Sequence, residues 1–460
     1  MLGNLIGPEI KELIDERNFT ALRAAFEDWA PADISECITE LPSDEQAVIF
    51  RILPHDQATD VFEYLDVDAQ HVVLKAMGDS AAARILNDMS RDDRTALLEE
   101  LPGAAVQQMI QLLSPEEKAV AQSLLNYPES SVGRLMTPDF ISVREDWTIQ
   151  QTLDHIREHG HDSETVNVIY VADERGTLID DLRIGEILIH PVTTLISEIR
   201  DDTFVALRAT DDQQAAVDIF RKYDRSTLPV VDSEEKLLGI VTVDDMLDVQ
   251  QEEATEDIQR LGGMEALDEP YMTIALWRMI KKRASWLIIL FLGEMLTATA
   301  MQKYEEDIAK AAVLAIFLPL IISSGGNAGS QATTLIIRAM AVGEVRLRDW
   351  WRIMRKEFSS GFFLGAILGC VGFVRILLWQ SLHIFDYGPH FLVIAFTVGM
   401  SLVGVVLWGS LAGAMLPFLL RKLGLDPATS SAPFVATLVD VTGLLIYFNL
   451  ALIIMKGSLL

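Results

Sequence analysis

Asp440 stands near the middle of Pro433-Phe-Val-Ala-Thr-Leu-Val-Asp-Val-Thr-Gly-Leu-Leu-Ile-Tyr-Phe-Asn-Leu-Ala-Leu-Ile-Ile-Met455, a run long enough to cross a bilayer as one helix. A carboxylate at that depth is costly unless it faces water, a partner or an ion, so it is either hydrogen-bonded to a neighbouring helix or offered to a cation. A second apolar run holds Pro319-Leu-Ile-Ile-Ser-Ser-Gly325-Gly-Asn327-Ala-Gly329-Ser-Gln331. Its small residues let another helix approach closely. Asn327 adds a side-chain carbonyl and Pro319 can free a backbone one. Oxygen donors without sulfur or imidazole favour a hard cation. The glycines resemble a phosphate loop only in part, because Gly-Gly-Asn-Ala-Gly-Ser lacks the Lys-Ser/Thr ending and sits in an apolar span. A third segment, Asp244-Asp-Met-Leu-Asp248-Val-Gln-Gln-Glu-Glu253-Ala-Thr-Glu256-Asp257-Ile, reads as a helix with a strongly anionic face. Like charges on such a face repel one another and any acidic surface opposite, which salt and divalent cations relieve.

The elements that must hold these residues fall into two halves. Residues 1 to 270 carry 57 acidic and 21 basic side chains, whereas residues 271 to 460 carry 10 and 16, so the net charge of -30 belongs to the first half. The first half reads as a soluble region and the second as a membrane domain. The N-terminal Met1-Leu-Gly-Asn-Leu-Ile-Gly-Pro-Glu has neither the basic region nor the apolar core of a cleavable signal, so the acidic half is expected in the cytoplasm. Cys37 and Cys370 lie in different halves, which leaves no disulfide framework and no Cys/His metal spacing.

Five apolar stretches, at 284 to 302, 311 to 337, 361 to 380, 391 to 420 and 432 to 455, are spanning-helix candidates. Arg278, Lys281, Lys282 and Arg283 precede the first, a run of six from Arg338 to Lys356 separates the second from the third, and Arg421 and Lys422 separate the fourth from the fifth. The opposite side holds Lys303, Lys310 and Lys456, with Arg375 near the outer end of the third stretch. By the positive-inside rule the N-terminal half is inside and the C-terminus outside. An odd number of spans disfavours an inverted-repeat transporter within one chain.

From Trp29 to about Leu124 a large residue recurs every 12 positions, at Trp29, Leu41, Leu53, Leu65, Met77, Met89, Leu101 and Leu113. A fixed period predicts a stacked helical array, with two short helices per 24 residues as its unit. Pro42, Pro54 and Pro102 suit first turns, and Ser43-Asp-Glu, His55-Asp and Ser90-Arg-Asp-Asp supply caps or first-turn acids. After Gly133-Arg-Leu-Met-Thr-Pro138 the texture changes. Strands are expected at 165–171, 228–231 and 238–242 and helices at 149–159 and 213–223, an order that occurs twice. Thr227-Leu-Pro-Val-Val-Asp232 followed by Gly239-Ile-Val-Thr-Val-Asp244-Asp245 resembles the second half of a cystathionine-β-synthase (CBS) module. That resemblance implies an adenine nucleotide between paired modules, with Asp245 on its ribose. The first module departs from the pattern, reading Ile179-Asp-Asp-Leu-Arg-Ile-Gly-Glu-Ile-Leu188 where glycine and threonine belong.

Ser324-Gly-Gly-Asn-Ala-Gly-Ser-Gln, Thr334-Leu-Ile-Ile-Arg-Ala, Leu411-Ala-Gly-Ala-Met-Leu-Pro-Phe-Leu-Leu and Val435-Ala-Thr-Leu-Val-Asp-Val-Thr-Gly-Leu-Leu-Ile-Tyr together resemble the MgtE family of magnesium channels and transporters, and the likeness runs over essentially the whole chain. The resemblance implies a multidomain membrane protein: an all-α helical-repeat N domain at 1–130, an α/β tandem CBS domain at 131–250, an acidic connecting helix at 251–282 and a five-helix transmembrane domain at 283–460. It implies a plasma-membrane homodimer with one Mg²⁺ path on its two-fold axis, lined by Asp440, Asn327 and Ala436. Two Asp440 side chains across such an axis would present a dianionic field to a dication that sheds water reluctantly. It also implies closure by cytoplasmic Mg²⁺, with Asp92, Asp93, Asp245, Asp248, Glu253, Glu256 and Asp257 as candidate ligands, although Arg91 and Arg94 flank the Asp92 pair. Competing readings are a Co²⁺ or Ni²⁺ pathway, disfavoured because no His or Cys accompanies Asp440 in its span, and a membrane-anchored nucleotide sensor. A CBS-regulated anion channel is opposed by the buried aspartate. No nucleophile-base constellation or redox motif supports catalysis, nucleic acid is not an expected partner, and Glu294 in the first span is left unassigned.

Overall fold

The computed structural model describes residues 2–39, 41–101, 103–267, 271–272, 274–306 and 312–456. Pro102, Lys310 and residue 311 lie outside the described residues. The chain divides into two units, Met1–Gln251 and Glu252–Leu460.

The first unit opens with helices α1 (Leu2–Asp15), α2 (Phe19–Phe26), α3 (Pro31–Thr39), α4 (Ser43–Ile52), α5 (His55–Glu63), α6 (Val67–Met77), α7 (Asp79–Asp88), α8 (Arg91–Glu100), α9 (Gly103–Leu112) and α10 (Pro115–Leu125). From α3 onward, one short helix plus a link of one to three residues makes each 12-residue unit. Leu41, Leu53, Leu65, Met89, Leu101 and Leu113 fall in the links and are buried, so the periodic residue pins each junction into a single core. Asp66 accepts the Ala69 N–H at 2.8 Å and Ser114 the Glu117 N–H at 3.2 Å, which caps α6 and α10. Pro42 and Pro54 occupy the cap positions, one residue ahead of the expected first turn. The Ser90 hydroxyl makes no cap and instead donates to Asp93 at 2.7 Å.

The short helix α11 (Val132–Leu135) leads into two like modules. In the first, β1 (Ser142–Val143) pairs parallel to β2 (Val168–Ala172), which pairs antiparallel to β3 (Leu178–Arg183), with α12 (Ile149–His159), α13 (Ile184–Ile189) and α14 (Ile196–Ile199) interleaved. The second repeats this with β4 (Leu207–Arg208), α15 (Gln213–Tyr223), β5 (Thr227–Val231) and β6 (Leu237–Thr242). Both modules carry the same bulge, before Ala172 and before Val231. The strand β3 has no apolar signature in sequence, because Asp180 and Asp181 occupy its centre. Asp180 stands in the register where β6 has Gly239.

The helix α16 (Val243–Leu261) follows β6 directly. Expectation had placed a connecting helix over 251–282. It begins earlier and stops at Leu261, where Gly262 and Gly263 break it. Gly263 has φ +73° and a side chain there would strike the Trp286 ring at 2.8 Å, so both backbone and space demand glycine. Residues from Leu276 onward belong instead to α17 (Leu276–Lys303), the first of five helices long and apolar enough to span a membrane. The others are α18 (Leu318–Ala341, preceded by a 3₁₀ stretch Ala312–Phe317), α19 (Trp350–Ser381), α20 (Phe391–Lys422) and α21 (Ala432–Ile454). The first and third begin before the apolar stretch, because Trp277–Arg283 and Trp350–Ser360 are helix-forming sequence beyond the greasy core. Pro319 sits in the first turn of α18, where its missing N–H leaves no intrahelical bond unmade, so the freed carbonyl expected of a mid-helix proline does not arise.

Candidate ion path and cytoplasmic carboxylate cluster

The apolar helices are brought together by glycine. A Cβ on Gly413 would lie 2.2 Å from the Gly329 carbonyl oxygen and one on Gly409 2.3 Å from that of Gly325, so α18 and α20 meet backbone to backbone. Thr333 reinforces the crossing by donating to the Gly413 carbonyl at 2.7 Å, and Ser330 donates to Ala432 at the head of α21 at 3.1 Å. The next residue round α18, Gly326, faces α21: its missing Cβ would sit 3.4 Å from Ala436 Cβ and 3.5 Å from Asp440 Oδ1. Asp440 and Ala436, one turn apart, thus line the same groove as the Gly-Gly-Asn turn. Asp440 is half-buried and Asn327 exposed. On α17, Gly293 packs against Thr437, where a Cβ would stand 2.8 Å from Cγ2. Its neighbour Glu294 acts electrostatically on Asp440. The sequence contained this signal as a second carboxylate in an apolar span, but not its distance from the first. Among the described residues no three His, Cys, Asp or Glu side chains converge as a metal cage within one chain.

The second site belongs to the first unit. Asp92 and Asp93 open α8, Asp92 buried and Asp93 half-buried. The flanking cations turn away. Arg91 pairs with Glu117 at 2.8 Å and Asp139 at 2.7 Å, and the fully buried Arg94 pairs with Glu117 and donates to the Leu86 carbonyl at 3.1 Å. What faces Asp92 and Asp93 is therefore acid: Asp244, Asp245 and Asp248 from α16, with Glu164 and Glu63. Burial and then the Asp245 charge push the Asp92 carboxyl well above its ordinary range. Burial raises Asp245 despite the Thr242 hydroxyl bond at 2.8 Å that favours its ionised form, and nearby Asp244 and Asp93 raise it further. Glu63, half-buried and accepting the Ser90 N–H at 2.7 Å, is pushed up to about 7, chiefly by loss of water around it. Burial followed by Asp244 also raises Glu164.

Four of the seven expected sensor residues are thus gathered: Asp92, Asp93, Asp245 and Asp248. Glu63, Glu164 and Asp244 join them unannounced by local sequence, although Asp244 lay in the acidic run. Glu256 and Asp257 have their partners elsewhere. The helical rise puts Asp257 roughly 18 Å along α16 from Asp245. Glu256 pairs with Arg260, and Asp257 feels Asp426 and Arg260.

The first CBS-like module differs where the pattern broke. Asp180 accepts the Asp201 and Asp202 N–H groups at 2.8 and 3.2 Å, and Asp181 lies 2.9 Å from Arg225 of the second module. Its β3 strand end is occupied by these internal contacts.

Apolar helices around a carboxylate share one chain with an acid-rich helical array and a tandem α/β pair. Residues 318–450 match the divalent cation transporter family MgtE, residues 29–130 the MgtE intracellular N domain, and residues 132–190 and 196–252 the CBS domain. The chain is 38% identical over 454 residues to the magnesium transporter MgtE of Thermus thermophilus, covering 97% of this chain and 98% of that one. To the Enterococcus faecalis protein of the same name it is 33% identical over 344 residues, 74% of this chain and 73% of that one. A crystal structure of the cytosolic domain of the Mg²⁺ channel MgtE in complex with ATP matches with a TM-score of 0.51 at 33% identity, covering 53% of this chain and 99% of that one. The chain belongs to the MgtE family.

Proposed function

We propose that this protein is a Mg²⁺-selective import channel of the plasma membrane, closed by cytoplasmic Mg²⁺ and assembled as a homodimer. The observation that carries the reading is Asp440, a carboxylate within an apolar span, set against Gly326 and one turn from Ala436. The described residues of one chain bring Asp440 and nearby Glu294 but no cage, and on this reading a second copy supplies the opposing Asp440, with the Asn327 carbonyl beside them. Ions keep most of their water there, selected by charge and size. The magnesium transporter names of the relatives support Mg²⁺ over Co²⁺ or Ni²⁺. The N domain is inside and the C-terminus outside, in line with the basic residues at Arg338, Arg421 and Lys422.

Gating rests on Asp92, Asp93, Asp245 and Asp248, to which Glu63, Glu164 and Asp244 are added. Without Mg²⁺ their repulsion loosens this cluster, and bound Mg²⁺ holds it together, shifting the population toward closure. ATP, bound in the solved cytosolic relative, is a second ligand for the second CBS module, with Asp245 on its ribose. The test is Mg²⁺ flux into proteoliposomes: the parent conducts and Asp440→Asn does not. Equal flux from both would leave the spans as an anchor for a nucleotide sensor.

A further inference from the structure

At the C-terminal end of α16 a single guanidinium sits among three carboxylates. Arg260 donates through Nη1 to Asp426 Oδ2 at 2.6 Å and pairs through Nη2 with Glu256, one turn back. Asp257 is in electrostatic contact with Arg260, Glu256 and Asp426. Asp426 uses its other oxygen to accept the Ala428 N–H at 2.9 Å, opening the 3₁₀ turn Pro427–Thr429 that leads to Ser431, the N-cap of α21. Ser431 also accepts the Trp286 indole N–H at 3.2 Å, and Lys282 donates to the Ala266 carbonyl, so the same junction ties the start of α17. The Asp426 and Ser431 contacts lie at the foot of the helix that carries Asp440.

We infer that Arg260 is a built-in counter-ion, filling the place a divalent cation would take among Glu256, Asp257 and Asp426 and so positioning the start of the Asp440 helix without a bound ion. A planar guanidinium reaches two carboxylates at once and keeps its charge at every physiological pH. Its removal leaves three anions facing one another, a repulsion that only salt or a dication relieves. Two of those anions had been expected to bind regulatory Mg²⁺, and the arginine explains why this end of α16 can stay docked when Mg²⁺ is scarce. Arg260 touches no permeating ion and is a positioning residue. Its meaning for conduction rests on the channel reading above.

The experiment is hydrogen exchange on the full chain in lipid nanodiscs, in chelator and in millimolar Mg²⁺, read on peptides covering residues 426–434. In the parent and in Arg260→Lys this segment is protected equally in both conditions. In Arg260→Gln its protection falls in chelator by roughly tenfold, the effect of one lost charged hydrogen bond, and returns with Mg²⁺. Parent-like protection of Arg260→Gln in chelator overturns the inference, as does loss of protection by the parent itself, which would assign the junction to a metal. Arg260→Lys behaving like Arg260→Gln also overturns it, because charge would not be what matters. The channel reading fails separately, through undiminished flux in Asp440→Asn, and that outcome leaves the exchange result standing.

Discussion

Asp440 has no ion pair among the described residues, and its nearest charged influence is another acid, Glu294. A site built this way attracts cations most when both carboxylates are ionised. Glu294→Gln should therefore lower Mg²⁺ flux in proteoliposomes by a smaller factor than Asp440→Asn, and a larger factor would make Glu294 the principal ligand. Gly326→Ala adds a methyl at ordinary contact distance from Ala436 and Asp440, so the protein should fold at parental thermal stability yet conduct less. Gly413→Ala has no such room: its methyl meets the Gly329 carbonyl, and overpacking of this kind costs about 1–3 kcal/mol, measurable as a lowered Tm in detergent. Asp440 was legible in sequence because one charge in a long apolar run is conspicuous. Its neighbours were not, since Gly326 and Glu294 reach it from other helices and leave no trace in the spacing around residue 440.

At the scale of elements, α8 and the first turns of α16 present acid to acid. Glu63 at the end of α5, raised first by burial and then by Asp93, carries the pH signature. Its folded pKa of about 7 exceeds the ordinary 4.5, so the folded state holds a proton that the unfolded chain has released. The sign follows: stability is fully present below the unfolded value and is lost as pH rises through the folded one. In chelator, the thermal transition of the full chain should fall as pH climbs from about 4.5 to 7, with Asp92, Asp93, Asp245 and Glu164 acting in the same direction. Millimolar Mg²⁺ should flatten that dependence at the upper end, and Glu63→Gln should shrink it. A transition temperature that instead rises over this window would contradict the cluster's electrostatics. The helices themselves were readable from their 12-residue period, and Ile149–His159 and Gln213–Tyr223 match their expected limits. The strand β3 was not, because burial of Asp180 and Asp181 depends on Asp201, Asp202 and Arg225, which lie 20 to 44 residues away in sequence.

At the scale of the whole molecule, the sequence separates a strongly acidic half from a mildly basic one, and the five candidate spanning helices among the described residues are an odd set, which disfavours an internal inverted pair. Two copies are the simplest way to enclose a path beside Asp440. Native mass measurement from nanodiscs should give twice the mass of one chain, and a solely monomeric mass would sink the two-carboxylate site. Raising monovalent salt in chelator should partly imitate Mg²⁺ on the acidic half by screening, but without the saturation expected of a bound dication.

The backbone contact of α18 with α20 sets what can move. At Gly409 and Gly413 the neighbouring atoms are the Gly325 and Gly329 carbonyls, with Val405, Val435 and Val439 packed around Gly325 and Gly329, so sliding either helix would drive backbone and valine methyls into one another. These two helices form one strut. On the channel reading proposed above, widening of the path beside Asp440 is expected from displacement of α21 and α17 against that strut, with Val435 and Val439 repacking on Gly325 and Gly329.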